Sequence, residues 1–480
     1  MSNLMQTREI VLSVCEPKEY VGKEAHSLLN LISGKLNQAI ANNCGNYEKT
    51  KLVQVFYALF DESIYRSLAG EHFRTHDLSI VRKLEKAPTV FGYLLEVTIQ
   101  CSETQPIRDL TEEDLSSLVF SSGVFLEACS YSNYLYRNDF NGGFTVSKDG
   151  GISFRVNDQV QKSEESFIEK IGLLSEKIVS GTEKLEFVNN PKRASLREDA
   201  LCYDSVFRKT YGLDLSSVVV TAESIVFDIC NKAYGVVSIS QNALLKKIMR
   251  KTSYDKGTVK KAIQYLQIGK DMLSENWQYY KFRDVPVSVS RRPIVRLFSG
   301  VGEKGDTVYF GPNALFRAII LLLSDIDRGI IQLGNVAERW AAEKGHEFEE
   351  NVRLILSQHG FKVIRVTDPP PEVGEIDAVA FCEMKKILLV AEAKAPKIDL
   401  SMDKAKWHFE RSREWCQTHD RKVKWARENA QTLVKRLGLS ATSIEEIIGV
   451  IVTRVPWYVE SNLPCMILSV EEFERFLNRI

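Results

Sequence analysis

Two short apolar runs in the last third of the chain, Ile376 to Phe381 and Ile387 to Ala393, are rich in β-branched residues. The polar stretch from Cys382 to Lys386 separates them. Apolar runs of this length, bounded by turn residues, are typical of buried β-strands, and their short separation predicts an antiparallel hairpin. In the register that we expect, the turn is centred between Met384 and Lys385.

The predicted hairpin brings two acidic residues together. In this register Asp377 lies directly opposite Glu392, and facing residues of antiparallel strands have Cβ atoms about 4.5–5.5 Å apart. Carboxylates at that distance repel each other unless a cation lies between them. Mg²⁺ suits the position, because it binds one or two carboxylates together with water and phosphate. The turn contains no glycine, so a shift of one residue is an alternative in which a diagonal pair still shares a metal.

A lysine follows the second acid. Lys394 lies two residues after Glu392, so the two side chains share one face of the strand. An ammonium group beside a metal can orient a water molecule, lower its pKa or stabilise charge on a phosphate. A Glu-x-Lys tripeptide is common by chance at solvated strand ends. Here, however, the acids border apolar strands, and a helix with a further acid precedes them. Asp377, Glu392 and Lys394 are therefore candidates for phosphodiester hydrolysis.

The preceding helix is predicted from about Asn335 to Gln358. Its apolar residues recur on one face, at Phe348, Val352, Ile355 and Leu356. Glu349 lies at the margin of this stripe, one turn after Gly345, whose missing side chain leaves room beside it. Glu347 and Glu350 are expected to be solvated. Glu349 is thus the further candidate acid.

The periodicity from about residue 335 onward predicts the order α-β-β-β-α-β, followed by one more strand and a terminal helix. The remaining predicted elements are a strand at Lys362–Val366, a long helix at Ser401–Leu437, strands at Glu446–Val452 and Met466–Leu468, and a helix at Val470–Leu477. The long helix is expected to break near Thr418-His419-Asp420. Its basic residues and interleaved tryptophans suit a phosphate-contacting surface, although such tryptophans are more often core anchors.

The first part of the chain, residues 1–190, is predicted to be mostly helical. Its elements are helices at Lys23–Ala41, Lys51–Leu68 and Gln159–Phe187, a strand at Thr89–Gln100 and a hairpin at Phe144–Val156 with the turn Asp149-Gly150-Gly151. His72 and His76 have helical spacing but no convincing third ligand, so a surface role is expected. The polar, proline-bearing stretch Asn189–Lys192 predicts a boundary.

The middle part, residues 191–334, is predicted to be helical with a small sheet. Its elements are helices at Ser238–Lys251 and Lys256–Gln267, strands at Val285–Leu297 and Thr307–Phe310, and an apolar helix opened by Pro312, about Asn313–Asp327. The first two helices weakly resemble a winged-helix domain, in which Lys256, Lys260 and Lys261 would meet phosphates. Two helices with lysines on their outer faces, however, far more often have only a structural role and do not contact DNA.

Composition narrows the class of protein. A chain of 480 residues is long enough for two or three domains. The formal net charge of +0 excludes a globally basic nucleic-acid binder, so contact with DNA needs local patches. Nine cysteines without a C-x-x-C pair argue against a zinc ribbon and against a disulfide framework. We expect a cytoplasmic protein without a membrane span, because no signal-peptide core is visible and the apolar run Ala318–Leu323 is too short to cross a bilayer.

The acidic and basic residues of the last third carry a family resemblance. Lys344-Gly345 with Glu349 four residues after the glycine, then His359-Gly360-Phe361-Lys362-Val363, Glu375-Ile376-Asp377 and Glu392-Ala393-Lys394, resemble the PD-(D/E)xK nuclease superfamily. The nearest likeness is to its Holliday-junction-resolvase-like and Mrr-like restriction endonuclease domains. The chain departs from the pattern in one position, because Ile376 stands where the pattern has proline.

Length and periodicity predict a multidomain fold class with mostly α (α+β) amino-terminal regions. For residues 335–480 the resemblance implies an α/β restriction-endonuclease-like domain with a central mixed sheet. It implies Asp377, Glu392 and Lys394 as the catalytic core, with Glu349, Asp377 and Glu392 as ligands of Mg²⁺, for which Mn²⁺ can substitute.

The function implied is a metal-dependent endonuclease that cleaves DNA, in restriction or anti-phage defence. The amino-terminal regions would then serve target choice, a homodimer contact or a partner protein. Two alternatives stay open. One is an inactive nuclease fold that binds nucleic acid or a partner. The other is a ribonuclease, because without a recognisable base-stacking module nothing in the sequence distinguishes DNA from RNA as the substrate.

Overall fold

The computed structural model describes residues 3–68, 78–102, 108–156, 160, 192–230, 232–273, 288–297, 306–327, 331, 336–396, 405–439, 443–454, 457, 459 and 463–480. The chain divides into two compact units. The first comprises Met1–Tyr136, Gly142–Arg155 and Thr182–Ala337, and the second comprises Arg137–Asn141, Val156–Gly181 and Glu338–Ile480. The regions 1–190 and 191–334 therefore contribute most of their residues to the same unit.

The first unit is mainly helical. Its described α-helices are α1 (Asn3–Leu12), α2 (Gly22–Cys44), α3 (Lys49–Leu68), α4 (Leu78–Gln100), α5 (Glu112–Arg137), α6 (Lys192–Tyr211), α7 (Leu215–Ser224), α8 (Gln241–Met249), α9 (Lys256–Leu266) and α10 (Pro312–Asp327). The predicted helices at Lys23–Ala41, Lys51–Leu68 and Asn313–Asp327 are confirmed. α10 begins at Pro312, a residue that suits the first turn because it needs no backbone N–H there.

Two small sheets belong to the first unit. Their strands are β1 (Glu19–Val21), β2 (Gly143–Val146) and β3 (Ile152–Arg155) in one sheet, and β4 (Val237–Ser240), β5 (Gln267–Ile268), β6 (Ile294–Leu297) and β7 (Thr307–Phe310) in the other, in the order β4-β7-β6-β5. β2 and β3 pair antiparallel and confirm the predicted hairpin. Gly150 in its turn has φ +81°, a conformation that favours glycine.

The strand predicted at Thr89–Gln100 is wrong, because this segment forms the second half of α4. Its run of apolar residues is buried on several sides. The Tyr93 ring stacks on Phe125 with 4.6 Å between centroids, and its hydroxyl donates to Asn37 Oδ1 at 2.7 Å. A continuous apolar run does not distinguish a buried helix from a buried strand, and packing overrides its β-branched composition.

The strand predicted at Val285–Leu297 is shorter than expected. Only β6, from Ile294 onward, is extended. The backbone N–H groups of Arg291 and Arg292 both donate to Ser288 O, at 3.0 and 2.8 Å, and so close a turn ahead of the strand. Residues 285–287, His72, His76 and the predicted helix Gln159–Phe187, apart from Val160, lie outside the described residues.

A buried carboxylate joins α3 to the start of α10. Asp61 is fully buried and accepts hydrogen bonds from Gly235 N at 3.0 Å, Ala314 N at 2.8 Å and Asn313 Nδ2 at 3.0 Å. Gly311 permits this approach, because a Cβ there would lie 2.4 Å from Asp61 Cγ. Burial raises the pKa of Asp61 to about 6, although the hydrogen bonds act in the opposite direction.

The second unit contains a five-stranded sheet with helices on both faces. Its described elements are α11 (Val336–Gln358), β8 (Lys362–Val366), β9 (Ile376–Cys382), β10 (Ile387–Lys394), α12 (Ala405–Glu428), α13 (Ala430–Arg436), β11 (Glu446–Thr453), β12 (Met466–Ser469) and α14 (Val470–Arg479). The strand order is β12-β11-β10-β9-β8. β8, β9 and β10 pair antiparallel, whereas β10, β11 and β12 pair parallel. The predicted α-β-β-β-α-β order and the mixed sheet are confirmed, and the protein is mixed α/β.

Side chains alternate between the two faces of this sheet and build two cores. On one face, Ala380 and Leu389 pack with Phe348 of α11 and Phe473 of α14. On the other face the core comprises Val379, Phe381, Leu388 and Val390 of the sheet with Ala426, Leu433 and Val434 of α12 and α13. Each face of β9 and β10 is therefore covered by a helix.

The long helix predicted at Ser401–Leu437 is interrupted elsewhere than expected. α12 runs through Thr418, His419 and Asp420 without a break and ends at Glu428, where Asn429 separates it from α13. The interior position of His419, which is 1% exposed, keeps this part of the helix against the sheet. Among the described helices, none is both long enough and apolar enough to cross a membrane.

Replacing Asp61 with alanine is expected to destabilise the start of α10. Three donors would lose their acceptor, and an unsatisfied buried donor costs about 1–3 kcal/mol. We expect the opening free energy of the α10 amides, measured by hydrogen–deuterium exchange, to fall by about 3 kcal/mol or more.

Glu62→Ala is the matched control, because Glu62 is the next residue of α3 and forms a one-turn ion pair with Arg66 at 2.6 Å. Such a pair contributes only about 0.3–0.5 kcal/mol. Equal losses in the two variants would contradict the role given to Asp61.

Candidate active site

The β9–β10 hairpin has the register that the sequence predicts. The paired residues run from Cys382 opposite Ile387 to Ala378 opposite Ala391. The next facing pair in the same register is Asp377 and Glu392. The turn lacks glycine, and Lys386 takes the left-handed conformation there, with φ 54°. The expected register is confirmed, and the alternative shifted by one residue is not adopted.

Glu392 is a buried carboxylate with two ammonium partners. It is 5% exposed, in a strand whose neighbouring residues are apolar. Its Oε1 accepts a hydrogen bond from Lys394 Nζ at 2.7 Å, and its Oε2 accepts one from Lys422 Nζ at 2.6 Å. Burial alone would raise the pKa of Glu392, but the two positive charges outweigh it and lower the pKa below its ordinary value. Glu392 is therefore an anion.

Asp377 lies beside Glu392 and leans across β10. Its Oδ2 accepts a hydrogen bond from Ala393 N at 2.8 Å. Burial, the negative charge of Glu392 and, to a smaller extent, that of Glu349 together raise the pKa of Asp377 to about 6. The two facing carboxylates thus repel each other, which is the electrostatic situation that a bound cation relieves.

Glu349 of α11 contributes charge to this region, but its carboxylate faces other partners. Its Oε2 lies 3.3 Å from His346 Nδ1 and 3.7 Å from Arg365 Nη2. Arg365 also pairs with Glu375, the residue before β9. The structure brings Asp377, Glu392 and Lys394 together by direct contact or register, whereas Glu349 is engaged by a neighbouring ion-pair network.

α11 also fixes the start of β9. Arg353 Nη1 donates to the backbone carbonyl of Asp377 at 2.6 Å, and Nη2 of the same guanidinium lies 2.7 Å from Glu350 Oε1. Glu347 and Glu350 are exposed, as expected. The position of Asp377 therefore depends on a helix-to-strand contact that the sequence did not reveal.

A three-acid metal site is not assembled in the described part of the chain. No group of three or more His, Cys, Asp and Glu residues there is arranged to hold an ion. The facing pair Asp377 and Glu392 still has suitable chemistry, because Mg²⁺ often binds only one or two carboxylates and takes its other ligands from water and phosphate. The participation of Glu349 as a third ligand stays a prediction.

Two residues of α12 border the site and were missed in the sequence. Lys422 is the second partner of Glu392, and His419 lies one helical turn before it. His419 is 1% exposed, and neither ring nitrogen has a hydrogen-bond partner among the described residues. Burial lowers the pKa of His419 to about 4, so the ring is neutral at pH 7. The spacing of three residues between His419 and Lys422, which places them on one side of a helix, was the only indication in the sequence. In a helix rich in basic residues, however, nothing in the sequence shows that one particular lysine points inward.

Gly449 of β11 allows α12 to approach the sheet. A Cβ at this position would lie 2.5 Å from Val423 Cγ2 and 3.0 Å from His419 Nε2. The absence of a side chain therefore leaves room for the turn of α12 that carries His419, Lys422 and Val423. Close packing of this helix brings the Lys422 ammonium down to Glu392.

A disulfide ties the same helix to the segment before β12, the edge strand of the sheet. Cys416 of α12 is bonded to Cys465, just before β12, across a sequence separation of 49 residues. Cys416 packs with Ile451 and Ile467. The expectation of no disulfide framework is corrected at this one pair, because such distant cysteines give no spacing signal in the sequence.

No protein-family model, no curated protein and no solved structure matches this chain. The resemblance to PD-(D/E)xK nucleases therefore rests on the sequence motifs quoted for it.

Substitution of Gly449 with alanine is expected to push α12 away from the sheet. The new Cβ would overlap Val423, and overpacking of a dense core costs about 1–3 kcal/mol. Chemical denaturation of the full chain should show this loss in the free energy of unfolding.

Gly345→Ala is the control, because a Cβ at Gly345 meets nothing within 4 Å. Replacing glycine by alanine inside a helix is stabilising by roughly 0.5–1 kcal/mol, so this variant should be at least as stable as the wild type. A Gly449→Ala protein of unchanged stability would contradict the close packing of α12.

Proposed function

We propose that the second unit is a Mg²⁺-dependent endonuclease that hydrolyses phosphodiester bonds in DNA. The observation that carries the proposal is the convergence of Asp377, Glu392 and Lys394 at the start of β9 and the end of β10. Two repelling carboxylates with an adjacent ammonium group form a donor set suited to a hard divalent ion and a phosphate. Mn²⁺ is expected to substitute for Mg²⁺.

The fold of the second unit supports the same proposal. A mixed sheet with the order β12-β11-β10-β9-β8 carries the acids on its central hairpin, and α11 precedes that hairpin. This is the arrangement expected of a restriction-endonuclease-like domain, which we propose as the finer fold assignment. A role in restriction or anti-phage defence would follow by analogy with that class.

The residues have distinct roles in the proposed reaction. Asp377 and Glu392 would hold Mg²⁺, which when bound supplies a Lewis acid for the phosphate and lowers the pKa of water. Lys394, with 32% of its side chain exposed, is the more accessible of the two lysines. Its ammonium group can donate a hydrogen bond to the attacking water and stabilise the negative charge that develops on the phosphate oxygens. The burial of Glu392 limits competing water at the carboxylate.

Alanine at Asp377 or at Lys394 is expected to abolish cleavage without unfolding the protein. Each change removes a group that acts on the phosphate or its metal, and such groups contribute factors on the order of 10² or more to kcat. Plasmid, linear and single-stranded DNA and RNA would be incubated with Mg²⁺, Mn²⁺ or EDTA. Circular dichroism spectra of the variants should match that of the wild type.

Lys385→Met serves as the control for lost charge, because Lys385 is exposed in the turn at the opposite end of the hairpin. It should cleave like the wild type. Full activity of Asp377→Ala or Lys394→Ala would refute the assignment. Cleavage of RNA alone would favour the ribonuclease alternative, and metal binding without cleavage of any substrate would favour a binding protein.

Metal binding can be tested without catalysis. We expect Mg²⁺ to raise the melting temperature of the wild type, because a ligand that binds only the folded state stabilises it by mass action. Asp377→Asn and Glu392→Gln should lose this shift. Glu349→Gln should keep most of it, because the Glu349 carboxylate faces His346 and Arg365. Loss of the shift in Glu349→Gln would instead establish the third metal ligand that the resemblance implies.

A further inference from the structure

Both carboxylate oxygens of Glu392 are occupied by lysines from different elements. Lys394 belongs to the same strand and binds Oε1, whereas Lys422 reaches Oε2 from α12. Each oxygen keeps a second lone pair, but an ammonium group at 2.6–2.7 Å repels a cation, so a metal ion favours the oxygen whose ammonium group can withdraw. The roles of the two lysines then depend on which of them can withdraw.

Their surroundings decide which of the two gives way. The Lys394 side chain is 32% exposed, whereas the Lys422 side chain is 7% exposed. An ammonium group that leaves a carboxylate needs water or another anion as its new partner. Lys394 has access to solvent and Lys422 does not, so Lys394 is the group that exchanges.

The packing of α12 holds Lys422 in place. In the turn of helix that carries Lys422, Val423 and His419 pack so closely on Gly449 that a Cβ at position 449 would not fit. Removing one partner of a buried ion pair is strongly unfavourable, because it leaves the other charge uncompensated. Lys422 and Glu392 are thus a fixed ion pair. The contact that can be exchanged is the one between Lys394 and Oε1 of Glu392.

We propose that Lys422 is a positioning residue of the active site, and that it reserves Oε1 of Glu392 for exchange between Lys394 and a divalent cation. Lys422 holds Oε2 throughout and sets the orientation of the carboxylate. Lys394 neutralises Oε1 in the metal-free protein and, once displaced, is free to meet the phosphate. This inference rests on the proposed function, because it assigns roles within the same site.

The two lysines are therefore expected to affect metal binding in opposite directions. The measurement is the Mg²⁺ concentration at the midpoint of the rise in melting temperature of the full chain. Lys394→Met removes the competitor at Oε1, so its midpoint should fall below that of the wild type. Lys422→Met removes the group that orients Glu392, and loss of such a supporting group weakens metal binding or activity by about 10–100-fold. Its midpoint should rise by about that factor.

Steady-state cleavage supplies a second readout. Lys422→Met should lower kcat by about 10–100-fold with little change in KM for the nucleic acid, because Lys422 is buried and does not reach the substrate. Lys422→Arg keeps a charged donor and should retain a midpoint near the wild-type value. It also tests the proposal if the methionine variant does not fold. Lys385→Met controls for the loss of one positive charge.

The outcomes separate this inference from the proposed function. A wild type with no Mg²⁺-dependent shift overturns both. A wild-type shift combined with midpoints that fall in both lysine variants overturns the positioning role alone, since it means that Lys422 acts only through its charge. A Lys422→Met protein that keeps the wild-type midpoint and kcat overturns it as well. Opposite movements of the two midpoints support it.

Discussion

The burial of the Glu392 carboxylate is the constraint on which the second unit depends. A charge in an apolar strand is costly unless it is paired and hydrogen-bonded. The structure meets this cost with one ammonium group from the same strand and one from α12. Because the second donor lies on a separate helix, the position of α12 over the sheet and the ionisation of Glu392 are coupled. Gly449 makes the coupling possible by leaving room for that turn of the helix.

The hairpin that carries the acids is predictable because its information is local. Alternation of side chains and a short polar turn favour one register, and the facing of Asp377 and Glu392 follows from it. Lys422 is not predictable in this way. It lies 30 positions after Glu392, in a helix with many basic residues, and only the three-dimensional packing turns it inward. Sequence patterns therefore find the groups that share a hairpin and miss those that a tertiary contact supplies.

The same distinction explains the errors elsewhere in the fold. Thr89–Gln100 has β-branched composition, yet the ring of Tyr93 packs on Phe125 inside a helical core, and burial on several sides removes the periodic signal that would identify a helix. The polar triplet at Thr418-His419-Asp420 suggested a break in the long helix, but His419 is an interior residue. In both cases the local structure is determined by packing against residues that lie far away in the sequence.

Charge balance gives a reason for two lysines at one site. Asp377 and Glu392 supply two negative charges when ionised, and Lys394 and Lys422 supply two positive ones, so the metal-free site is neutral without Glu349. Arrival of a divalent cation would give this buried region a net positive charge unless an anion entered with it. A nucleic-acid phosphate is such an anion, and the displaced Lys394 is the group positioned to meet it. The displaced Lys394 therefore favours joint binding of metal and substrate.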